Sequence, residues 1–180
     1  MRKIVLYIAM SLDGYIADQH GNVDWLSGQE TVPDADSGNV DSYSEFVRTV
    51  DTVVIGWNTY HQIVTELSPD TWVYRGLTSY VITHRKQSST DDVRFTDRSP
   101  CELVRNLRQQ EGADIWICGG AEIVRQLMQE DLIDRFHISV IPTILGDGIP
   151  LFGQSEQELQ LRLIRTQSYN GITDLVYERR

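Results

Sequence analysis

The stretch that decides the fold is residues 115–123, which read Ile-Trp-Ile-Cys-Gly-Gly-Ala-Glu-Ile. Its apolar first half is typical of a buried strand, and a predicted helix begins directly after Gly119 and Gly120. Such a junction presents backbone N–H groups and the positive end of a helix dipole. Because glycine has no side chain, a phosphate can approach this backbone closely. The junction either binds a phosphate or is a tight turn that binds nothing.

Apolar runs on both sides of this junction alternate with helical patterns. The five predicted strands are Ile4–Met10, Thr52–Ile55, Ser79–Thr83, Asp114–Cys118 and Phe136–Ile141. Their shortness and β-branched residues favour strands that are buried on both faces of a mainly parallel sheet. Toward the C-terminal end, Leu159, Leu161 and Leu163 alternate with polar residues, and Asn170-Gly171 is a strong hairpin signal. The sequence therefore predicts a three-layer αβα fold with a mixed, mostly parallel sheet and a C-terminal antiparallel hairpin.

The helices carry their own start signals. Ser99-Pro100-Cys101-Glu102 combines an N-cap serine, a proline at the first helical position and a glutamate three residues after the cap. Gly112 is expected to end that helix in a left-handed conformation. Further helices are predicted after Gly56 and after Gly120.

Composition limits the classes of protein to consider. The chain has 180 residues, of which 41% are hydrophobic and 23% charged, which indicates a single domain over residues 1–180. Its net charge of −10 argues against a nucleic-acid partner. The run Ile4–Met10 is too short to span a membrane and no cleavage site follows it. Neither Cys101 and Cys118 nor the histidines have metal-site spacing, so we expect a cytoplasmic protein with no metal.

Two other turns repeat the chemistry of the first junction. Val53–Tyr60 passes from a strand into a helix at Gly56, so that two helix N-termini can face one ligand. A third strand ends in Thr83-His84-Arg85-Lys86, where a hydroxyl and cations could meet a phosphate monoester. A solvated basic turn is the alternative for that run.

Four segments in register resemble the dihydrofolate reductase superfamily, specifically its branch similar to the reductase domain of bifunctional riboflavin-biosynthesis proteins. They are Ala9–Ala17, Gly56-x-x-Thr59-Tyr60, Cys118–Ala121 and Pro142–Phe152. Together they cover nearly the whole chain in order, which is far more specific than one glycine pair. The resemblance implies a dihydrofolate reductase-like fold and an NADPH site across the carboxyl ends of the strands.

By this resemblance, the nicotinamide lies near Ala9 and Ile16, the pyrophosphate on the two helix starts, and the 2′-phosphate near the third turn. The implied cofactor residues are Ala9, Ile16, Gly56, Trp57, Asn58, Thr59, Thr83, His84, Arg85, Cys118, Gly119, Gly120, Ala121, Glu122 and Ile123. One departure is Trp57, because the family usually carries Arg or Lys there. Arg85 and Lys86 can supply the missing charge, and Trp57 can pack on the adenine.

The substrate-binding and catalytic residues that the resemblance implies rest on looser matches to the family. Trp25 and Tyr43 are the implied substrate-binding residues, although Trp25 is equally credible as a core residue. Asp41 is the candidate catalytic acid, since dihydrofolate reductases carry an acid on the helix before the second strand. Glu45 competes with it, and a plain capping role for Asp41 is the alternative.

Three functions follow from these residues. The first is an NADPH-dependent reductase that transfers hydride to a pterin, folate or pyrimidine-like compound. The second is a reductase of a ribosylated pyrimidine in riboflavin biosynthesis, which needs a separate deaminase because the zinc signature of such enzymes is missing from this sequence. The third is a non-catalytic nucleotide-binding or sensor protein.

We expect a homodimer in solution. The resemblance implies one, and the segment Pro142–Phe152 carries apolar residues on an extension with few obvious places for burial within one subunit. Light scattering at micromolar concentration should give twice the 20.6 kDa of the chain. The mass should fall when Phe152 is changed to Asp, and a wild-type mass near that of one chain would refute the dimer.

Overall fold

The computed structural model describes residues 1–29, 42–153 and 158–180. The described strands are β1 (Ile4–Ser11), β2 (Tyr15–Ala17), β3 (Val50–Gly56), β4 (Thr78–Ile82), β5 (Val93–Thr96), β6 (Asp114–Gly119), β7 (Arg135–Ile141), β8 (Ile149–Pro150), β9 (Leu161–Tyr169) and β10 (Ile172–Arg179). The described helices are α1 (Ser42–Val47), α2 (Trp57–Gln62) with a π-helical turn over Ile63–Leu67, α3 (Pro100–Arg108) and α4 (Ala121–Gln129).

Within the described residues, eight strands form one sheet in the order β5-β4-β3-β6-β1-β7-β10-β9. The pairs from β5 to β7 are parallel, and β10 runs antiparallel to both β7 and β9. Strands β2 and β8 form a separate two-stranded sheet. This confirms the predicted mixed sheet with its antiparallel end. The predicted strands are those with the strongest apolar runs, whereas β2, β5 and β8 are short and partly exposed and were not predicted.

Successive residues of a strand point to opposite faces of the sheet. Both faces carry apolar side chains here, and helices cover both of them. In β1, Ile4 and Leu6 pack in the cluster that contains α3 and α4, whereas Val5 packs with Phe46 of α1 on the other face. The second cluster is rich in aromatic side chains and continues toward the carboxyl ends of the strands. The two faces therefore differ, with an aliphatic core under α3 and α4 and an aromatic core under α1 and α2.

Local signals fixed several boundaries as predicted. The Ser99 hydroxyl accepts a hydrogen bond from the Glu102 N–H at 3.2 Å, and Pro100 opens α3. In the hairpin turn, Asn170 and Gly171 have φ of 48° and 74°, as a two-residue turn of this type requires. Gly112 has a positive φ of 147°, but the expectation that it ends the helix was wrong, because α3 already ends at Arg108.

The extension Pro142–Phe152 is attached to the turn after β1 by one side chain. The Asp13 carboxylate accepts hydrogen bonds from the Ser11 hydroxyl at 2.6 Å and from the backbone N–H groups of Leu145 and Gly146 at 3.1 and 2.7 Å. These hydrogen bonds, chiefly that from Ser11, hold the pKa of Asp13 below its ordinary value. Leu151 is buried in the core of its own chain, whereas Ile144 and Phe152 are exposed.

In the described part of the chain, no helix is both long and apolar enough to cross a bilayer. Cys101 and Cys118 are both free thiols.

Candidate active site

One large cavity of about 1430 Å³ lies at the carboxyl ends of the parallel strands. Residues at or just beyond the ends of β1, β3, β4, β5 and β6 contribute to its wall, among them Ala9, Gly56, Ile82, Asp97 and Cys118. Ligands of open α/β sheets bind in this position because the turns that follow the strands converge there. The cavity is large enough to hold a dinucleotide and a small second ligand, since pockets for drug-sized ligands measure roughly 300–1,000 Å³.

Two glycine turns form a cradle at the middle of the cavity. Gly56 and Gly120 stand at the N-caps of α2 and α4, and neither helix has a side-chain cap. A Cβ atom on Gly56 would lie 3.8 Å from the backbone nitrogen of Gly120, and one on Gly120 would lie 3.7 Å from Thr59 Oγ1. The turns therefore approach each other closely, and the first-turn N–H groups of two helices face one space. This arrangement suits a pyrophosphate.

The end of the cavity beside α2 carries basic and aromatic side chains. The guanidinium of Arg85 stacks over the Trp57 ring at 5.0 Å from its centroid, and the backbone N–H of Arg85 donates to Thr83 Oγ1 at 3.1 Å. His84 and Arg98 line the same part of the cavity. Arg85 thus places a cation directly over Trp57, the position where the family usually carries Arg or Lys.

The opposite end of the cavity is walled by the sheet itself. Ala9 and Ile16 line it together with Tyr7, Tyr43 and the residues of a larger aromatic group. The rings of Tyr7, Tyr43, Phe46, Trp116 and Tyr74 are connected through neighbouring pairs, with centroid separations of 4.4 to 6.3 Å. Such a wall excludes water and offers flat surfaces to a planar ring.

Cys118 sits in this wall as a hydrogen-bonded thiol. Its sulfur lies 3.2 Å from the Tyr74 hydroxyl. Burial raises the pKa of Cys118 to about 11, although the contact with Tyr74 acts in the opposite direction. The thiol is therefore neutral at physiological pH and packs as a small apolar group.

The structure brings most of the predicted site residues to this one cavity. Those that line it are Ala9, Ile16, Tyr43, Gly56, Trp57, Asn58, Thr59, His84, Cys118, Gly120, Ala121, Glu122 and Ile123. Gly119 and Thr83 lie behind the wall and are buried, and Arg85 reaches the cavity region through Trp57. The Trp25 indole donates to the backbone of Asn22 at 3.2 Å, while its neighbours Val23 and Leu26 line the cavity instead. Asp41 lies outside the described residues.

Several lining residues were not predicted. Arg98 follows the short strand β5, whose alternating pattern in residues 93–96 was the available signal. Ser139 also lines the cavity, and it was detectable as a lone hydroxyl in the apolar run Phe136–Ile141. Tyr74 had no signal, because it lies in the irregular segment between α2 and β4. No group of acidic, histidine and cysteine side chains suited to a metal ion occurs in residues 1–29, 42–153 and 158–180.

The sheet order and the cavity at the strand ends define a protein with the dihydrofolate reductase-like fold. The chain belongs to the RibD C-terminal domain family, whose model matches residues 2–176. The family is one of pyrimidine reductases. The resemblance inferred from the sequence motifs is thereby confirmed.

Individual relatives and solved structures are similar to this chain over nearly its whole length. The chain is 44% identical over 181 residues to the uncharacterized protein YwjB of Bacillus subtilis (strain 168). The match covers 99% of this chain and 98% of the relative. A solved structure of a putative riboflavin biosynthesis protein from Shewanella sp. PV-4 is 30% identical, with a TM-score of 0.80 and coverage of 100% and 99%. Dihydrofolate reductase from Enterococcus faecalis complexed with NADP(H) and RAB-propyl shares the fold at 13% identity, with a TM-score of 0.63 and coverage of 98% and 96%.

The environment of Cys118 predicts its reactivity. Because burial keeps the thiol protonated, native protein should show almost no alkylation of Cys118 by iodoacetamide at pH 8. Peptide mass spectrometry after a timed pulse would measure the modified fraction, and the same pulse in denaturing urea should label Cys118 and Cys101 alike. Rapid labelling of Cys118 in native protein would contradict the assigned environment.

Proposed function

We propose that this protein is an NADPH-dependent reductase that transfers hydride to a pterin, folate or pyrimidine-like heterocycle. One observation carries the proposal. A single cavity joins the glycine cradle at Gly56 and Gly120 to the apolar wall at Ala9 and Ile16. A dinucleotide laid along it would place its phosphates on helix N-termini and its nicotinamide beside a surface that can hold a second ring.

The residues present fit such a cofactor. At the cradle, a Cβ on Gly120 would meet only the Thr59 hydroxyl oxygen within 4 Å, at an ordinary contact distance of 3.7 Å. At the basic end, Arg85 and Arg98 offer cations and His84 a ring N–H to a phosphate monoester, and the Trp57 ring offers a face to adenine. Since only NADPH carries a 2′-phosphate, this charge favours NADPH over NADH. The complex of the Enterococcus faecalis enzyme with NADP(H) supports the same choice.

The protein's part in the reaction is positioning. NADPH would supply a hydride from C4 of its nicotinamide ring to an electrophilic carbon of the substrate. The apolar wall at Ala9 and Ile16 would hold the two reacting rings against each other, and the aromatic side chains would keep bulk water out. The proton that accompanies the hydride would come from water or an acid. No nucleophilic step is needed, in keeping with the neutral thiol of Cys118.

A ribosylated pyrimidine of riboflavin biosynthesis is the second candidate substrate. It is favoured by membership of a family of pyrimidine reductases and by the 30% identity to a putative riboflavin biosynthesis protein. Consumption of NADPH with a pterin or dihydrofolate would support the first candidate, and consumption only with a ribosylaminopyrimidine the second. Binding of NADPH without turnover of either substrate would support the non-catalytic sensor.

The cradle is tested by Gly120→Ala. The added methyl group makes only an ordinary contact with Thr59, so the fold should be kept, but it occupies the space where a phosphate meets the backbone. Loss of charge-assisted hydrogen bonds should raise the Kd for NADPH by on the order of tenfold or more in calorimetric titration. Gly153→Ala is the matched control, since its Cβ also meets only ordinary contacts. An unchanged Kd in Gly120→Ala would place the cofactor elsewhere.

The cofactor preference is tested by Arg85→Ala. Removing this guanidinium should weaken NADPH by about tenfold and NADH much less, because only NADPH carries the phosphate that Arg85 would bind. Quenching of tryptophan fluorescence gives both affinities in one titration format. Arg94→Ala is the matched control, because the Arg94 guanidinium stacks over the Tyr80 ring in the same way and does not line the cavity. Equal losses for the two cofactors would show that Arg85 does not contact the 2′-phosphate.

A further inference from the structure

A buried carboxylate lies directly behind the wall of the cavity. The Asp174 side chain on β10 is 1% exposed. In the sheet register, Asp174 pairs with Ser139 of β7, and Ser139 pairs with Ala9 of β1. Ala9 and Ser139 line the cavity at the end proposed for the reacting rings. The carboxylate is therefore separated from that end by a single serine side chain.

The hydrogen bonds around Asp174 all point toward it. The Ser139 hydroxyl donates to Asp174 Oδ1 at 2.5 Å, and the Tyr169 hydroxyl donates to the same oxygen at 3.5 Å. The Ser42 hydroxyl in turn donates to Tyr169 Oη at 3.3 Å. The other oxygen, Oδ2, faces His137 Nε2 at 3.6 Å, and neither atom has a hydrogen-bond partner in the described chain.

Asp174 is ionised in this setting. Burial by itself would raise its pKa, but the neighbouring His137, Ser139 and Ser42 groups outweigh burial and hold the pKa below the ordinary value. An ionised carboxylate has no hydrogen to donate. Every hydroxyl that contacts it must therefore point its hydrogen toward it.

This requirement fixes what Ser139 can offer a ligand. A serine hydroxyl has one hydrogen and two lone pairs. Because the hydrogen is held by Asp174, the oxygen of Ser139 can act toward the cavity only as an acceptor. The neighbouring Ala9 presents apolar surface there, and a further polar group of this stretch of wall is the Tyr7 hydroxyl, which interacts with Ser42 and Ser139.

We propose that Ser139 is a specificity-determining residue that accepts a hydrogen bond from an N–H group of the substrate ring, and that Asp174 is the positioning residue that holds it as an acceptor. The site would then favour amino-substituted heterocycles over rings with a methyl group at the same place. This inference rests on the proposed function, because it assumes that the ring binds at the Ala9 end.

The test compares two ring probes of nearly equal size, 6-aminouracil and 6-methyluracil, which differ by an amino group in place of a methyl group. Each is titrated by calorimetry into protein saturated with NADPH. The wild type should bind the amino probe more tightly by about tenfold, the effect of one hydrogen bond to a charge-supported acceptor. Ser139→Ala should lose this preference by weakening the amino probe alone. Ser168→Ala, which changes an exposed serine of the hairpin that carries Asp174, should keep it.

Two variants of Asp174 separate positioning from a structural role. Asp174→Asn retains a carbonyl oxygen for Ser139 and can turn its amide nitrogen toward His137, so it should keep most of the preference. Asp174→Ala releases the Ser139 hydroxyl to rotate and should reduce the preference, because the oxygen still accepts a hydrogen bond but is no longer supported by a charge. If Asp174→Ala does not fold, the comparison of Ser139→Ala with Asp174→Asn decides.

The affinity for NADPH distinguishes the possible failures. If the wild type does not bind NADPH, the proposed function fails. If NADPH binds, the inference is overturned when Ser139→Ala retains the preference, when a folded Asp174→Ala keeps it in full, when Asp174→Asn loses it as fully as Ser139→Ala does, or when the wild type shows none, including failure to bind both probes.

Discussion

The close approach of two strand ends is the constraint on which the rest of the site depends. Strands β3 and β6 are neighbours in the sheet, and their register pairs Ile55 with Gly119. Each strand turns at once into a helix, so α2 and α4 begin side by side. A side chain at Gly56 would crowd the junction, since its Cβ would lie 3.3 Å from the end of the Ile123 side chain of α4 and 3.8 Å from the Gly120 nitrogen. The paired glycines are therefore what allows both helix N-termini to open into one cavity.

The two faces of the sheet have different roles, since one packs against the longer helices and the other forms the cavity wall. Alternate residues of β6 point in opposite directions, so Ile115 and Ile117 pack under α3 and α4 while Trp116 and Cys118 face the aromatic side. The aliphatic face holds the sheet and its two longer helices in place. The aromatic face continues without a break from the core into the cavity wall. A rigid wall of this kind can hold planar rings in a defined geometry at little cost in side-chain entropy.

The antiparallel end of the sheet adds a buried charge, the Asp174 carboxylate, near this wall. A carboxylate in an apolar core is costly unless its oxygens receive hydrogen bonds. Asp174 receives them from Ser139 of β7 and Tyr169 of β9, and Tyr169 in turn accepts a hydrogen bond from Ser42 of α1. The C-terminal hairpin is thus more than a cover for the edge of the sheet, because it carries the charge that orients a hydroxyl of the cavity wall.

Local sequence determined the main elements of this protein. The longer apolar runs became the central strands, Ser99 and Pro100 began α3, and Asn170-Gly171 turned the hairpin, because strand burial, helix capping and tight turns each depend on a few adjacent residues. The glycine motifs likewise located the cradle. Only the tertiary structure decided which distant side chains meet. Arg85 lies over Trp57, and Asp174 lies behind Ser139, through the order and register of strands that are far apart in the chain. Those contacts arise from packing the whole sheet, and no local pattern encodes them.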